Sequence, residues 1–151
     1  CRNAMHVLTQ RLVSTCDWLA TWPGTAELPL SVFGVELGAG AALCASVARS
    51  SRIKAIVSWN GRLDLVGADV LRRVRAPTLL LVDGDEETAR QASELSAAHL
   101  TAPREIRVLT RQAWSRSDLS AHVANLGHAF LEEQLRRHDS LELSRDGART
   151  V

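Results

Sequence analysis

The segment Gly34-Val35-Glu36-Leu37-Gly38 carries the most chemical content in this sequence. It sets a carboxylate between two glycines, directly after an apolar, β-rich run and directly before a run of small residues. Some enzymes use a carboxylate as a covalent nucleophile, which makes Glu36 a candidate for that role. A negative side chain at a helix N-terminus is also stabilised by the helix dipole with no chemistry implied. Asp83-Gly84-Asp85 adds two carboxylates with turn-forming character, and Asp64 is suited to a turn or a cap. His99 and His138 fall in polar helix ends where solvation is expected, as is His122 if helical. No His, Cys, Asp and Glu grouping has metal-ligand spacing, so no metal is expected. The glycine-rich stretch 34–40 spaces its glycines as G-x-x-x-G-x-G, which does not match the dinucleotide pattern G-x-G-x-x-G. No carboxylate ends a strand about 20 residues further on either, so no cofactor of that kind is expected.

The elements that must position these residues alternate in type. Residues 3–21 repeat apolar side chains at helical spacing and stop at Trp22-Pro23-Gly24. Residues 28–35 form a short apolar strand, and 38–49, dense in alanine, read as a helix pressed against a sheet. A second strand is expected over 52–59, then a loop and short helix over 63–74. The residue before Pro77 is restricted to extended geometry, and the fully apolar run 78–82 makes a third strand. Residues 86–100 form a helix with an acidic first turn, 104–109 a fourth strand, and 117–137 a last helix, with 141–151 a polar, frayed tail. Near-continuous apolar strands alternating with helices specify an α/β fold, its parallel sheet covered on both faces.

Length and charge close off other classes. The 151 residues suit one domain. Eighteen basic against seventeen acidic residues leave a net charge of +1 and give no electrostatic case for nucleic acid or an anionic membrane. No apolar run approaches the roughly 20 residues that span a bilayer, and residues 1–10 lack signal-peptide grammar, so a cytoplasmic protein is expected. Cys16 and Cys44 fall on apolar helix faces, where a thiol behaves as a small hydrophobe. A chain that opens on Cys1 reads as a cut or processed terminus.

In order, the chain runs through Gly34–Gly38, then Ser58-Trp59-Asn60-Gly61-Arg62-Leu63-Asp64-Leu65, then Arg75-Ala76-Pro77 and the strand ending at Asp83-Gly84-Asp85. Over residues 3–135 this resembles the dienelactone hydrolase-like branch of the α/β-hydrolase superfamily. It is most similar to hydrolase-like domains that occur alone or fused behind a phosphoribosyltransferase domain. The resemblance implies the C-terminal half of such a domain, with about four parallel strands flanked by helices over residues 1–140 and a polar tail over 141–151. It places Glu36 at the nucleophile elbow, where the G-x-S-x-G pattern has serine. It makes Asp85 the triad acid, with Asp83 a weaker claimant, while some relatives place that acid where Asp64 stands.

Two alignments are open for the histidine. A gapless one sets Trp114 at its position. The other matches Gly127-His128-Ala129-Phe130 to the family's G-H-x-F loop after an insertion of 14 residues, although 119–135 also reads as one helix. The resemblance therefore implies ester or lactone hydrolase ancestry with serine catalysis impaired, leaving a binding or accessory domain for a small-molecule ester or lactone. The alternative is an active hydrolase using Glu36 as nucleophile, with Asp85 and His128 activating water. A fused or partner domain upstream is implied as well. The strand 28–35, left as an unpaired apolar edge, invites a homodimer.

Overall fold

The computed structural model describes residues 2–85, 87–110 and 115–148. Helix α1 (Arg2–Ala20) leads into strand β1 (Leu30–Val35), helix α2 (Leu37–Ala48) and strand β2 (Ile53–Trp59). A single 3₁₀ turn (Leu63–Leu65) and short helix α3 (Ala68–Arg73) precede strand β3 (Thr78–Asp83). Helix α4 (Glu87–Ala97), strand β4 (Arg104–Leu109) and helix α5 (Arg116–Ala148) complete the chain. The four strands form one parallel sheet in the order β1-β2-β3-β4, as the alternation of elements predicts.

Side-chain alternation divides the core between the two faces of this sheet. Val32, Ile56, Leu80 and Val82 face α1 to α4, packing with Met5, Cys16, Leu43, Leu71 and Ala97. Val57, Leu79 and Leu81 face α5 and meet Val123, Leu126 and Phe130. The central strand β3 is buried along its whole length, which is why its sequence reads as a continuous apolar run. The small residues of α2 let it pack closely against α1; a Cβ on Gly40 would come within 2.6 Å of the Met5 sulfur. The loop after α1 is tied down by Arg52, whose guanidinium donates to the carbonyls of Ala26 and Thr25. That bond fixes the approach to β1.

Helix α5 departs from expectation at its C-terminal end. It continues through Ala148, covering most of the stretch read as a frayed tail. No proline interrupts 138–148, and ion pairs one turn apart, Glu132 with Arg136 at 3.1 Å and Glu133 with Arg137 at 2.5 Å, support the exposed helix. No helix among the described residues is long and apolar enough to cross a membrane.

Leu43 is fully buried between α2 and the sheet. Leu43→Ala is expected to lower unfolding free energy by about 3 kcal/mol, while Leu95→Ala, at a position 73% exposed, stays within about 0.5 kcal/mol. Urea denaturation of both variants checks the contrast.

Candidate functional site

Strand β1 passes into α2 through one residue. Glu36 holds φ 48° and ψ −115°, a left-handed conformation that costs a non-glycine residue about 1–3 kcal/mol. Three backbone hydrogen bonds over-determine it. The Glu36 N–H donates to the Trp59 carbonyl at 3.0 Å, and the Glu36 carbonyl accepts from the N–H groups of Ala39 and Arg62, each at 3.2 Å. The corner closes only because Gly34 has no side chain: a Cβ there would lie 2.5 Å from the Ala39 Cα and 2.7 Å from its nitrogen. Gly38, the other glycine of the segment, has open space where its Cβ would be. The Glu36 side chain makes no capping bond to α2 and stands exposed at the corner.

A second left-handed residue lies at the end of β2. Asn60 has φ 47°, in a region where asparagine is tolerated better than most residues. Its N–H donates to the Leu81 carbonyl at 2.9 Å, and its side-chain oxygen accepts from the Asp83 N–H at 2.7 Å. One Asp83 carboxylate oxygen accepts in turn from the Asp85 N–H at 3.0 Å, and the Gly84 N–H donates to Leu109 on β4 at 2.8 Å. Asn60 therefore joins the ends of β2 and β3 and fixes the turn that carries Asp85. Sequence reasoning gave Asn60 no role; its signal was Asn-Gly directly after a strand.

Arg62 and Asp64 form a two-pronged ion pair, at 2.9 and 2.8 Å. Hydrogen bonding from Arg62 holds the Asp64 carboxyl below the usual carboxylate range. These groups converge on an open cleft of about 990 Å³ at the C-terminal ends of β1, β2 and β3, the usual binding position in a parallel α/β sheet. Among the described residues, Glu36, Asp64, Asp83, Asp85 and Glu87 line it, against one cation, Arg62, which already faces Asp64. The field in the cleft is negative.

The structure brings Glu36 and Asp85 to one cleft but does not bring His128 there. His128 lies within α5, its side chain 80% exposed and its Nε2 3.8 Å from Glu132. The loop alignment is thus corrected: residues 119–135 bury Val123 and Gly127, four apart, on one stripe against the sheet, which keeps this stretch helical and turns His128 away. Trp114 lies outside the described residues. His99 sits beside Arg72 just past the C-terminal end of α4, and no group of metal-binding side chains gathers among the described residues. Cys16 is buried and Cys44 partly so, as expected, and burial raises both thiol pKa values.

A parallel sheet whose first strand turns into a small-residue helix through a strained left-handed residue defines a class: the α/β domain built around a nucleophile elbow. A dienelactone hydrolase from Anabaena variabilis superposes on 85% of this chain with a TM-score of 0.75 and 31% identity, and the match takes in 60% of that enzyme. Over 94 residues, 62% of the chain, the sequence is 43% identical to a protein named "Putative phosphoribosyl transferase" in two strains of Mycobacterium tuberculosis. The chain spans about a fifth of the length of those relatives. No protein-family model matches it. The chain has a dienelactone hydrolase-like α/β-hydrolase fold.

Two measurements check this geometry. Gly34→Ala is expected to cost about 3 kcal/mol, because backbone atoms block the new methyl group, while Gly38→Ala costs less than about 0.5 kcal/mol; urea midpoints separate the two. The depressed Asp64 pKa gives a contribution that is complete above about pH 4 and disappears as the pH falls through the lower folded value. Asp64→Asn should accordingly flatten the acid limb of a stability-against-pH curve and leave the slope near neutrality unchanged.

Proposed function

We propose that this domain keeps the cleft of an ester or lactone hydrolase without its serine chemistry, and serves as a binding or accessory domain for a small ester or lactone. The observation that carries the reading is the carboxylate of Glu36 at the strained corner. Acyl transfer needs a nucleophile, a base to take its proton, an acid to orient that base, and donors for the oxyanion. Glu36 has no hydroxyl to activate. Its charge, with those of Asp64, Asp83 and Asp85 around it, opposes the negative charge that develops on a tetrahedral intermediate. The described lining of the cleft holds no histidine, and residues 111–114, which follow β4 in the sequence, are Arg, Gln, Ala and Trp. Loss of a triad nucleophile alone costs a serine hydrolase on the order of 10⁶ in turnover.

The alternative, turnover through Glu36 with Asp85 and His128, requires His128 to leave the helix that holds it. The similarity to a longer protein named for phosphoribosyl transfer favours an accessory position beside another domain of the same polypeptide.

Hydrolysis of p-nitrophenyl acetate tests the catalytic part. The chain, Glu36→Gln and Glu36→Ser are all expected to match the buffer rate, the last because a restored hydroxyl has no base beside it. Turnover by the unaltered chain that Glu36→Gln abolishes would overturn the proposal. For binding, titration with δ-valerolactone should shift the backbone amide resonances of Asn60 and Gly61; unmoved resonances at saturating lactone would remove the binding role.

A further inference from the structure

The end of β2 calls for two residue types whose combination is chemically labile. Position 60 takes a positive φ of 47° and supplies an acceptor to the Asp83 N–H, and asparagine meets both demands. Position 61 has little room for a side chain: a Cβ on Gly61 would come within 2.2 Å of the Ser58 Oγ and 2.8 Å of the Ala39 Cβ. Packing therefore sets Asn60 directly before Gly61. Asparagine is among the thermolabile side chains. With glycine next, the following backbone nitrogen can approach its amide carbon with no side chain in the way.

The surroundings of this pair favour that approach. Among the described residues, neither the Gly61 N–H nor the Asn60 Nδ2 group has a hydrogen-bond partner, so neither the attacking nor the leaving nitrogen is tied down. The Asn60 Oδ1 accepts from the Asp83 N–H at 2.7 Å. That donor polarises the amide carbonyl and stabilises the negative charge that attack places on its oxygen. Asn60 and Gly61 both line the open cleft, which supplies water. Asn3 and Asn125 are placed differently: they lie in α1 and α5, where helical backbone holds the next nitrogen away from the side chain. They also precede Ala4 and Leu126, whose side chains crowd that nitrogen.

We propose that Asn60 is a site of spontaneous deamidation in the folded chain. The Gly61 nitrogen bonds to the Asn60 Cγ and the Cγ–Nδ2 bond breaks. The Gly61 proton passes through water in the cleft to Nδ2, which leaves as ammonia, and a cyclic succinimide remains. One water molecule then opens the ring. Attack at the side-chain carbonyl gives aspartate, and attack at the main-chain carbonyl gives isoaspartate; no oxidant or cofactor takes part. Aspartate keeps an oxygen for the Asp83 N–H and adds a carboxylate to a cleft already lined by several. Isoaspartate routes the main chain through the former side chain, which displaces that acceptor and loosens the tie between β2 and β3.

Incubation of the folded chain in mildly alkaline buffer, followed by mass spectrometry of the tryptic peptide from Ala55 to Arg62, tests this. The peptide is expected to gain the mass by which a hydroxyl exceeds an amino group, and to accept a methyl group from an isoaspartyl methyltransferase. The peptides that hold Asn3 and Asn125 should stay unchanged in the same sample. The aged chain should also unfold at lower urea than the fresh one, in step with its isoaspartate content. No mass gain at residue 60 in the folded chain overturns the proposal, and conversion confined to a urea-unfolded sample would show that the fold shields the pair. Equal conversion at Asn3 or Asn125 overturns it too, since residue 60 would then owe nothing to its surroundings. A mass gain with no methyl acceptance rejects the succinimide route.

Discussion

The site depends on one backbone constraint: Glu36 held in a left-handed conformation by hydrogen bonds from three directions, over a glycine with no room for a methyl group. A strained residue persists only where its surroundings over-determine it. Here the end of β2, the first turn of α2 and the loop at Arg62 each fix one bond. Because those bonds bring the ends of β1 and β2 and the start of α2 to one point, they also define the floor of the cleft. The small residues of α2 and the tethering of the preceding loop by Arg52 serve the same corner, letting helix and strand approach closely enough to form it.

The corner is the geometry a hydrolase uses to present a nucleophile, but its electrostatics point the other way. The first N–H groups of α2 favour negative charge nearby, so a carboxylate is tolerated at position 36 as a matter of stability. The same preference would ordinarily be spent on an oxyanion. With Glu36 in place and Asp64, Asp83 and Asp85 around the same opening, the cleft is filled with charge of the sign a tetrahedral intermediate would carry.

Much of this was legible in the residues alone. Continuous apolar runs give strands buried on both faces, and the switch to helical spacing between them requires parallel crossovers. A carboxylate flanked by glycines between a strand and an alanine-rich helix locates the corner, because these are local properties of neighbouring residues. Other features were decided by contacts between segments distant in sequence. Asn60 acquires its role only when β2 and β3 lie side by side and bring Asp83 within reach. His128 lies inside α5 because the stripe through Val123 and Gly127 has a sheet to bury against, and a helix that buries one stripe must turn the next residue outward. Sequence specifies which residues can take part, through local propensity and pattern; tertiary structure chooses among them, because convergence of side chains on one cleft is a property of how the elements pack.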